Sequence, residues 1–199
     1  MSAVASLFGV SIDVAAWDAV GAEVALSCAA VFAREAGGVP LSGGLAHLDT
    51  ALGGRLVDLR REGAFTAAAG ECLLIPRPAP GTIAAEAVLL VGLGDPDGWS
   101  AVRLRDAVRA AAEFALALEV RSAAFAPGML DSGIAPEAAA GAIAHMADGL
   151  AAALRARARL VDYGLAESPR LERWVFDVGA PRLAGTRAQL EAHLRARAA

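Results

Sequence analysis

An unbroken apolar run followed by a long amphipathic segment is the clearest pattern in the chain. Residues 87–91 lack polar alternation, which is typical of a strand covered on both faces of a sheet. The glycines and the proline within residues 92–98 predict a turn, and Ser100 is a suitable N-cap for the helix that follows. The residues at helical spacing on its apolar side are Leu104, Val108, Ala111, Ala115 and Leu118.

Short apolar runs and helical spacings alternate along the rest of the chain. The predicted strands are residues 8–14, 22–32, 56–59, 72–76, 87–91, 122–126 and 171–178. The other predicted helices begin at Gly43, near Pro136 and at Leu183. Strands that alternate with helices indicate an α/β sandwich. The last strand is expected at an edge of the sheet, where Glu172 and Arg173 discourage pairing with another chain.

Composition is that of a globular protein. Apolar residues make up 56% of the 199 residues and charged residues 20%, and no repeat or linker divides them, so residues 1–199 are predicted to form a single domain. No apolar run reaches the ~18 residues of a membrane helix, and no basic segment of a signal peptide precedes Leu7. These features predict a cytoplasmic protein without a membrane partner. We expect Cys28 and Cys72, in separate predicted strands, to be buried reduced thiols.

The charge pattern excludes one class of partner and limits the available chemistry. The net charge of −4 argues against nucleic acid, because phosphate binding needs a clustered positive surface. All 18 basic residues are arginine, and the chain contains neither lysine nor asparagine. His47, His145 and His193 fall off the predicted apolar faces and lack the spacing of a zinc site, so we expect them at the solvated surface.

Two stretches carry a resemblance to a known family. The first stretch is residues 43–54, followed by residues 70–72, and the second is residues 88–94, followed by residues 104–107. Together they resemble the N-terminal domain of the leucyl aminopeptidase family. The resemblance covers about residues 22–154. It implies a macro-domain-like fold, which is a three-layer α/β/α sandwich with a mixed central sheet.

A second resemblance, to macro domains proper, runs through residues 122–127 and 132–134. In macro domains the matching strand and loop lead into a diphosphate-binding turn. Residues 171–194 are similar to the final strand and helix of a macro domain, so the resemblance implies one macro-like domain over residues 1–199. Macro domains that process ADP-ribose use an asparagine, and this chain has none.

The chain differs from leucyl aminopeptidases in the features that perform their peptidase chemistry. Enzymes of that family hold two divalent metals in a separate C-terminal catalytic domain, through a lysine and several carboxylates, and 199 residues leave no room for that domain. Arginine cannot replace the lysine, since its guanidinium stays protonated and offers no lone pair. We therefore expect no catalytic residues, no metal site and no cofactor.

Glycine-bearing segments after two predicted strands form the candidate ligand site. Residues 92–94 can present backbone N–H groups to a phosphate, but a plain tight turn is preferred, since a third fingerprint glycine and a P-loop lysine are absent. In a macro-like fold the loop at residues 127–135 faces this turn across the carboxyl edge of the sheet. The candidate ligand-binding residues are Gly92, Leu93, Gly94, Gly128, Ser132, Gly133 and Ile134.

Acidic residues near these segments have several interpretations. Asp13 is a candidate for the acidic residue that contacts adenine in macro domains. Asp95 and Asp97 can ligate a hard cation, but two carboxylates in one turn more often form the turn itself. Asp95 and Asp131 would oppose an anion by like-charge repulsion.

Two functions are compatible with these features. The preferred one is a non-catalytic interaction, assembly or regulatory module, whose partner is a second copy of the chain or a separate protein. The alternative is a binder of a nucleotide, an ADP-ribose-like molecule or another small phosphorylated ligand through the macro-like cleft. An exposed apolar patch favours the first function, and a concave pocket at the glycine loops favours the second.

Overall fold

The computed structural model describes residues 3–17, 19–36, 40–76, 81–128 and 141–198. They form a three-layer α/β/α sandwich around one seven-stranded sheet, which confirms the predicted fold class. The strands are β1 (Ala5–Leu7), β2 (Val10–Ala15), β3 (Leu26–Phe32), β4 (Cys72–Ile75), β5 (Ala87–Gly94), β6 (Ser122–Ala126) and β7 (Arg173–Asp177). The helices are α1 (Ala33–Ala36), α2 (Gly43–Ala51), α3 (Arg55–Arg61), α4 (Ala101–Ala117), α5 (Ala142–Asp162) and α6 (Leu183–Ala198).

The sheet is mixed, with parallel strands in its centre. The strand order is β1-β2-β7-β6-β3-β5-β4. The five inner strands are parallel, and the edge strands β1 and β4 are antiparallel to their neighbours. All seven residues of β3 are buried, as expected for a parallel strand covered on both faces.

Successive strand residues supply two apolar layers, one on each face of the sheet. In β7, Trp174 and Phe176 enter the layer beneath α4, α5 and α6, whereas Val175 enters the layer beneath α2 and α3. Helices α4 and α5 pack closely at Gly149, where an added Cβ would lie 2.2 Å from the Arg105 carbonyl oxygen. No helix in the described part of the chain is both long and apolar enough to cross a membrane.

The predicted strand–turn–helix unit is confirmed with one shift in its boundaries. Strand β5 continues through residues 92–94, so these glycines end the strand instead of forming a turn. The Ser100 hydroxyl accepts a hydrogen bond from the Arg103 N–H at 3.4 Å and caps α4. The predicted inner face of α4 is buried except for Leu118, which lies beyond the last helical residue and is 42% exposed.

The strand predicted at residues 56–59 is instead helix α3. Asp49 on α2 accepts a hydrogen bond from the Val57 N–H at 3.0 Å, so the preceding helix satisfies a donor in the first turn of α3. Gly54, with a φ of +80°, joins the two helices. In α3 only Leu56 is fully buried, so the segment lacks the two-residue alternation of a half-buried strand.

The edge position predicted for the last strand is wrong. Strand β7 lies between β2 and β6 and pairs with both in parallel. The charge of Arg173 is compensated inside the sheet, because its Nε donates to Asp13 Oδ2 on β2 at 2.8 Å. Strand β1 forms the edge beside β2. The sequence pattern did not predict this strand, because residues 8 and 9 form the hairpin turn between β1 and β2, with φ values of +50° and +83°.

Candidate functional site

A cavity of about 300 Å³ opens at the carboxyl ends of four neighbouring parallel strands. Trp17 follows β2, Ala29 and Ala30 belong to β3, and residues 126–128 and 177–179 end β6 and β7. We call it the carboxyl-edge cavity. In open α/β sheets this edge is where ligands bind, because loops and helix N-termini converge there.

Three helices complete the wall of the carboxyl-edge cavity. The N-terminus of α2 contributes Gly43, Gly44, Leu45 and His47, α5 contributes Ile143, and α6 contributes Thr186. The Ser42 side chain makes no capping hydrogen bond to the first turn of α2. The positive end of this helix dipole faces the cavity.

Two charged groups interrupt a mainly apolar lining. Arg182 is half-buried, lines the cavity and forms no ion pair with any described residue. Asp177 ends β7 with only 4% exposure, and its Oδ1 accepts a hydrogen bond from the Trp17 backbone N–H at 2.8 Å. The cavity thus offers a cation for an anionic group and a carboxylate for hydroxyl or amino donors.

Of the predicted ligand-binding residues, Gly128 lines the carboxyl-edge cavity. Its φ is +63°, and an added Cβ would lie 2.7 Å from the Ala30 carbonyl oxygen, so the loop after β6 lies tightly against β3. Ser132, Gly133 and Ile134 lie outside the described residues.

Gly92, Leu93 and Gly94 are placed elsewhere, on β5, and do not line the cavity. The Gly92 N–H donates to the Glu71 carbonyl at 2.8 Å, and the Gly94 N–H donates to the Ala67 carbonyl at 2.9 Å. Leu93 is buried in the core. These two N–H groups are already satisfied by the backbone, which corrects the expectation that they face a phosphate beside Gly128.

Asp13 is also placed differently from the adenine-contact expectation. It lies within β2 and not at its end, is 5% exposed, and pairs with Arg173. The Arg173 guanidinium in turn lies over the Trp17 ring, 5.7 Å from its centroid. Asp13 is therefore a supporting residue behind a wall of the cavity.

The remaining titratable candidates form no second centre in the described part of the chain. Cys28 is buried and Cys72 half-buried, both are free thiols, and burial raises the pKa of Cys28 so that it stays protonated. His47 is exposed as predicted, but His193 is part-buried, with Nε2 2.7 Å from Asp148 Oδ1. No group of three metal-ligating side chains occurs among the described residues.

Sequence analysis missed Trp17, Asp177 and Arg182 as residues of the cavity. One signal was present: Trp17 and Asp177 stand at the ends of predicted strands, where parallel sheets collect functional groups. That signal required the strand order, because β2 and β7 are adjacent only in the folded sheet.

Comparisons with known proteins agree with this geometry. The family model of the N-terminal domain of the cytosol aminopeptidase family matches residues 30–154. No curated protein matches the chain. Among solved structures, tomato leucine aminopeptidase is similar at 18% identity and a TM-score of 0.66, over 94% of this chain and 36% of that one. The chain therefore spans little more than a third of the tomato enzyme.

Macrodomains are similar over most of their own length. The Oceanobacillus iheyensis macrodomain with ADP matches at 10% identity and a TM-score of 0.72, covering 97% of this chain and 96% of that one. The Trypanosoma brucei macrodomain in complex with ADP-ribose matches at 16% identity and a TM-score of 0.62, covering 98% and 74%. At these identities the likeness shows a shared fold.

Proposed function

The chain belongs to the cytosol aminopeptidase family through its N-terminal domain, and on that premise we propose that it binds a small phosphorylated ligand. The ligand class is a nucleotide or an ADP-ribose derivative, and the site is the carboxyl-edge cavity. The observation that carries this proposal is the cavity itself, about 300 Å³ in volume and placed where four parallel strands end.

The polar groups that line the cavity suit the two kinds of polar group in such a ligand. The N-terminus of α2 and the Arg182 guanidinium favour a phosphate. The Asp177 carboxylate accepts hydrogen bonds from ribose hydroxyls or an exocyclic amino group. The apolar part of the lining, which includes Trp17 and Ile143, suits a flat ring.

The macrodomains named above support the ligand class by analogy. Two of them are described with ADP or ADP-ribose bound, and both share this fold. Fold likeness alone does not transfer a ligand, so the proposal depends on the cavity and on the chemistry that Arg182 and Asp177 give it.

Calorimetric titration with ADP-ribose, ADP and inorganic phosphate tests the proposal. We expect ADP-ribose or ADP to bind the wild-type chain, and Ile143→Trp, which fills the cavity, to weaken binding at least tenfold, or about 1.4 kcal/mol. Val102→Trp adds the same side chain at an exposed position on α4 and serves as the matched control. Absence of heat up to millimolar ligand, or equal affinity in both tryptophan variants, would overturn the assignment.

A second candidate is the interaction, assembly or regulatory module. The observation that favours it is a concentration of exposed apolar side chains at the end of the sandwich opposite the cavity: Leu118, Leu160, Tyr163 and Leu165. The two functions use different surfaces and are compatible in one molecule. A variant that loses ligand but keeps its association state would separate them.

A further inference from the structure

Exposed apolar side chains concentrate at the amino edge of the sheet, far from the carboxyl-edge cavity. Of the seven large apolar residues exposed in the described ranges, four lie at the ends of α4 and α5. They are Leu118 (42% exposed), Leu160 (43%), Tyr163 (75%) and Leu165 (72%). We call them the amino-edge patch. Such concentration marks an interaction surface, since single exposed leucines are normally scattered.

The packing of α4 against α5 explains why these residues share the amino edge. Both helices run from the carboxyl edge to the amino edge of the parallel strands, and Gly149 lies against Arg105 and Arg109. About twelve residues further on, at 1.5 Å per residue, both helices therefore end at the same level. Arg170 reaches Glu119 at 3.9 Å and links the segment after α5 to the end of α4.

The end of α5 is closed in a way that fixes Leu165 beside Leu160. The Leu165 N–H donates to the Leu160 carbonyl at 2.8 Å, and the Gly164 N–H donates to the Val161 carbonyl at 2.9 Å. With Gly164 at a φ of +69°, this is a Schellman motif. The two leucines are held together at the surface.

Charges of opposite sign flank the amino-edge patch. A groove at the amino ends of β3, β5 and β6 is lined by Glu23, Glu86, Glu119 and Leu118, and by Arg121, which pairs with Glu172 at 3.5 Å. We call it the acidic groove, because three carboxylates line it against one arginine. On α5, Arg155 and Arg159 precede Tyr163 by eight and four residues and share its helix face. Glu23, Glu86, Arg155 and Arg159 form no ion pair with any described residue.

We propose that the amino-edge patch is a two-fold interface between two copies of this chain. A two-fold interface uses the same surface on both subunits, so a surface that carries an apolar centre and both charge signs complements itself. In this arrangement the acidic groove of each copy faces the arginines of the other, and the four apolar side chains meet at the centre. Both copies keep the carboxyl-edge cavity open at the far end.

Sedimentation of the full chain measures the association directly. We expect a dimer at low salt that weakens as salt rises, because the flanking charges are exposed. Leu165→Glu places a charge in the apolar centre and should give a monomer. Val102→Asp, at an exposed valine outside the patch, should remain dimeric. A wild-type protein that stays monomeric at about 100 µM, roughly a hundredfold above a Kd of about 1 µM, would overturn the proposal.

Charge reversal tests which surfaces face each other. We expect each of two double variants to be a monomer. One combines Arg155→Glu with Arg159→Glu, and the other combines Glu23→Arg with Glu86→Arg. An equal mixture of the two variants should form a heterodimer, since both contacts then join opposite charges. Reversed pairs that stay dimeric, or a mixture that stays monomeric, would refute this pairing. Circular dichroism checks that these surface variants fold.

Discussion

The guanidinium of Arg173 lies over the indole ring of Trp17, with its Cζ atom 5.7 Å from the ring centroid. The same guanidinium donates through Nε to Asp13 Oδ2 at 2.8 Å. The backbone N–H of Trp17 is held independently by Asp177. Trp17 is thus anchored through both ring and backbone, which gives the carboxyl-edge cavity a fixed aromatic wall.

Removal of the guanidinium is expected to destabilise the fold. Arg173→Met leaves the Asp13 carboxylate buried without its ion-pair partner, at a cost of about 1–3 kcal/mol. Arg173→Lys keeps the charge but loses the planar contact with Trp17. Its free energy of unfolding should therefore lie between those of wild type and Arg173→Met. Urea unfolding provides the measurement. Asp13→Asn, added to Arg173→Met, should recover part of the lost free energy of unfolding. A double variant without any recovery would contradict the ion-pair explanation.

Gly92 is predicted to be intolerant of any side chain. An added Cβ would lie 2.1 Å from the Ala68 carbonyl oxygen, so Gly92→Ala has to displace the segment that precedes β4. We expect a loss of about 1–3 kcal/mol in the free energy of unfolding. Gly185→Ala is the matched control, because its added Cβ meets nothing within 4 Å. That helical substitution should stabilise α6 by about 0.5–1 kcal/mol, and equal effects of the two changes would be inconsistent with this packing.

The Glu71 carboxylate gives a pH-dependent contribution to stability. The Thr66 hydroxyl donates to it at 2.7 Å, and the Thr66 and Ala68 N–H groups add bonds of 3.1 and 3.0 Å. These bonds lower the pKa of Glu71 below its ordinary value of 4.5. A lowered folded-state pKa means that the stabilisation is present above pH 4.5 and lost as the pH falls through the folded pKa.

Glu71→Gln should therefore lower stability at pH 7 and have a smaller effect at pH 3. Thermal melts across this range make the comparison. Glu62→Gln, at an exposed glutamate without a side-chain hydrogen bond to a described residue, should show no such trend. A constant difference between wild type and Glu71→Gln from pH 3 to pH 7 would argue against the hydrogen-bond explanation.

The purified 199-residue chain is expected to show no aminopeptidase activity by itself. It contains no lysine, and no three metal-ligating side chains cluster within the described ranges. Added manganese or zinc should not create activity, since a two-metal site needs several carboxylate ligands in one place. Release of leucine from a chromogenic leucyl amide is the assay. Metal-dependent release that follows this protein through repeated purification would disprove the expectation.

Patterns local in sequence predicted most of the secondary structure. Strand β6 has the predicted bounds, residues 122–126, and α4 begins after its predicted cap, Ser100. These features depend on burial periodicity and on side chains a few residues apart, which a sequence displays directly. The mixed α/β/α sandwich followed from the alternation of elements and from the family resemblance.

Strand order and the composition of the cavity were decided only by the tertiary structure. Strand β7 enters the sheet between β2 and β6, and α3 takes a cap from Asp49 on another helix. Gly92 is required by the close approach of Ala68, not by its own turn chemistry. Trp17 and Asp177 are 160 positions apart and meet because β2 and β7 are hydrogen-bonded neighbours. Apolar pattern determines which residues are buried, but pairing between distant strands determines which polar groups share a site.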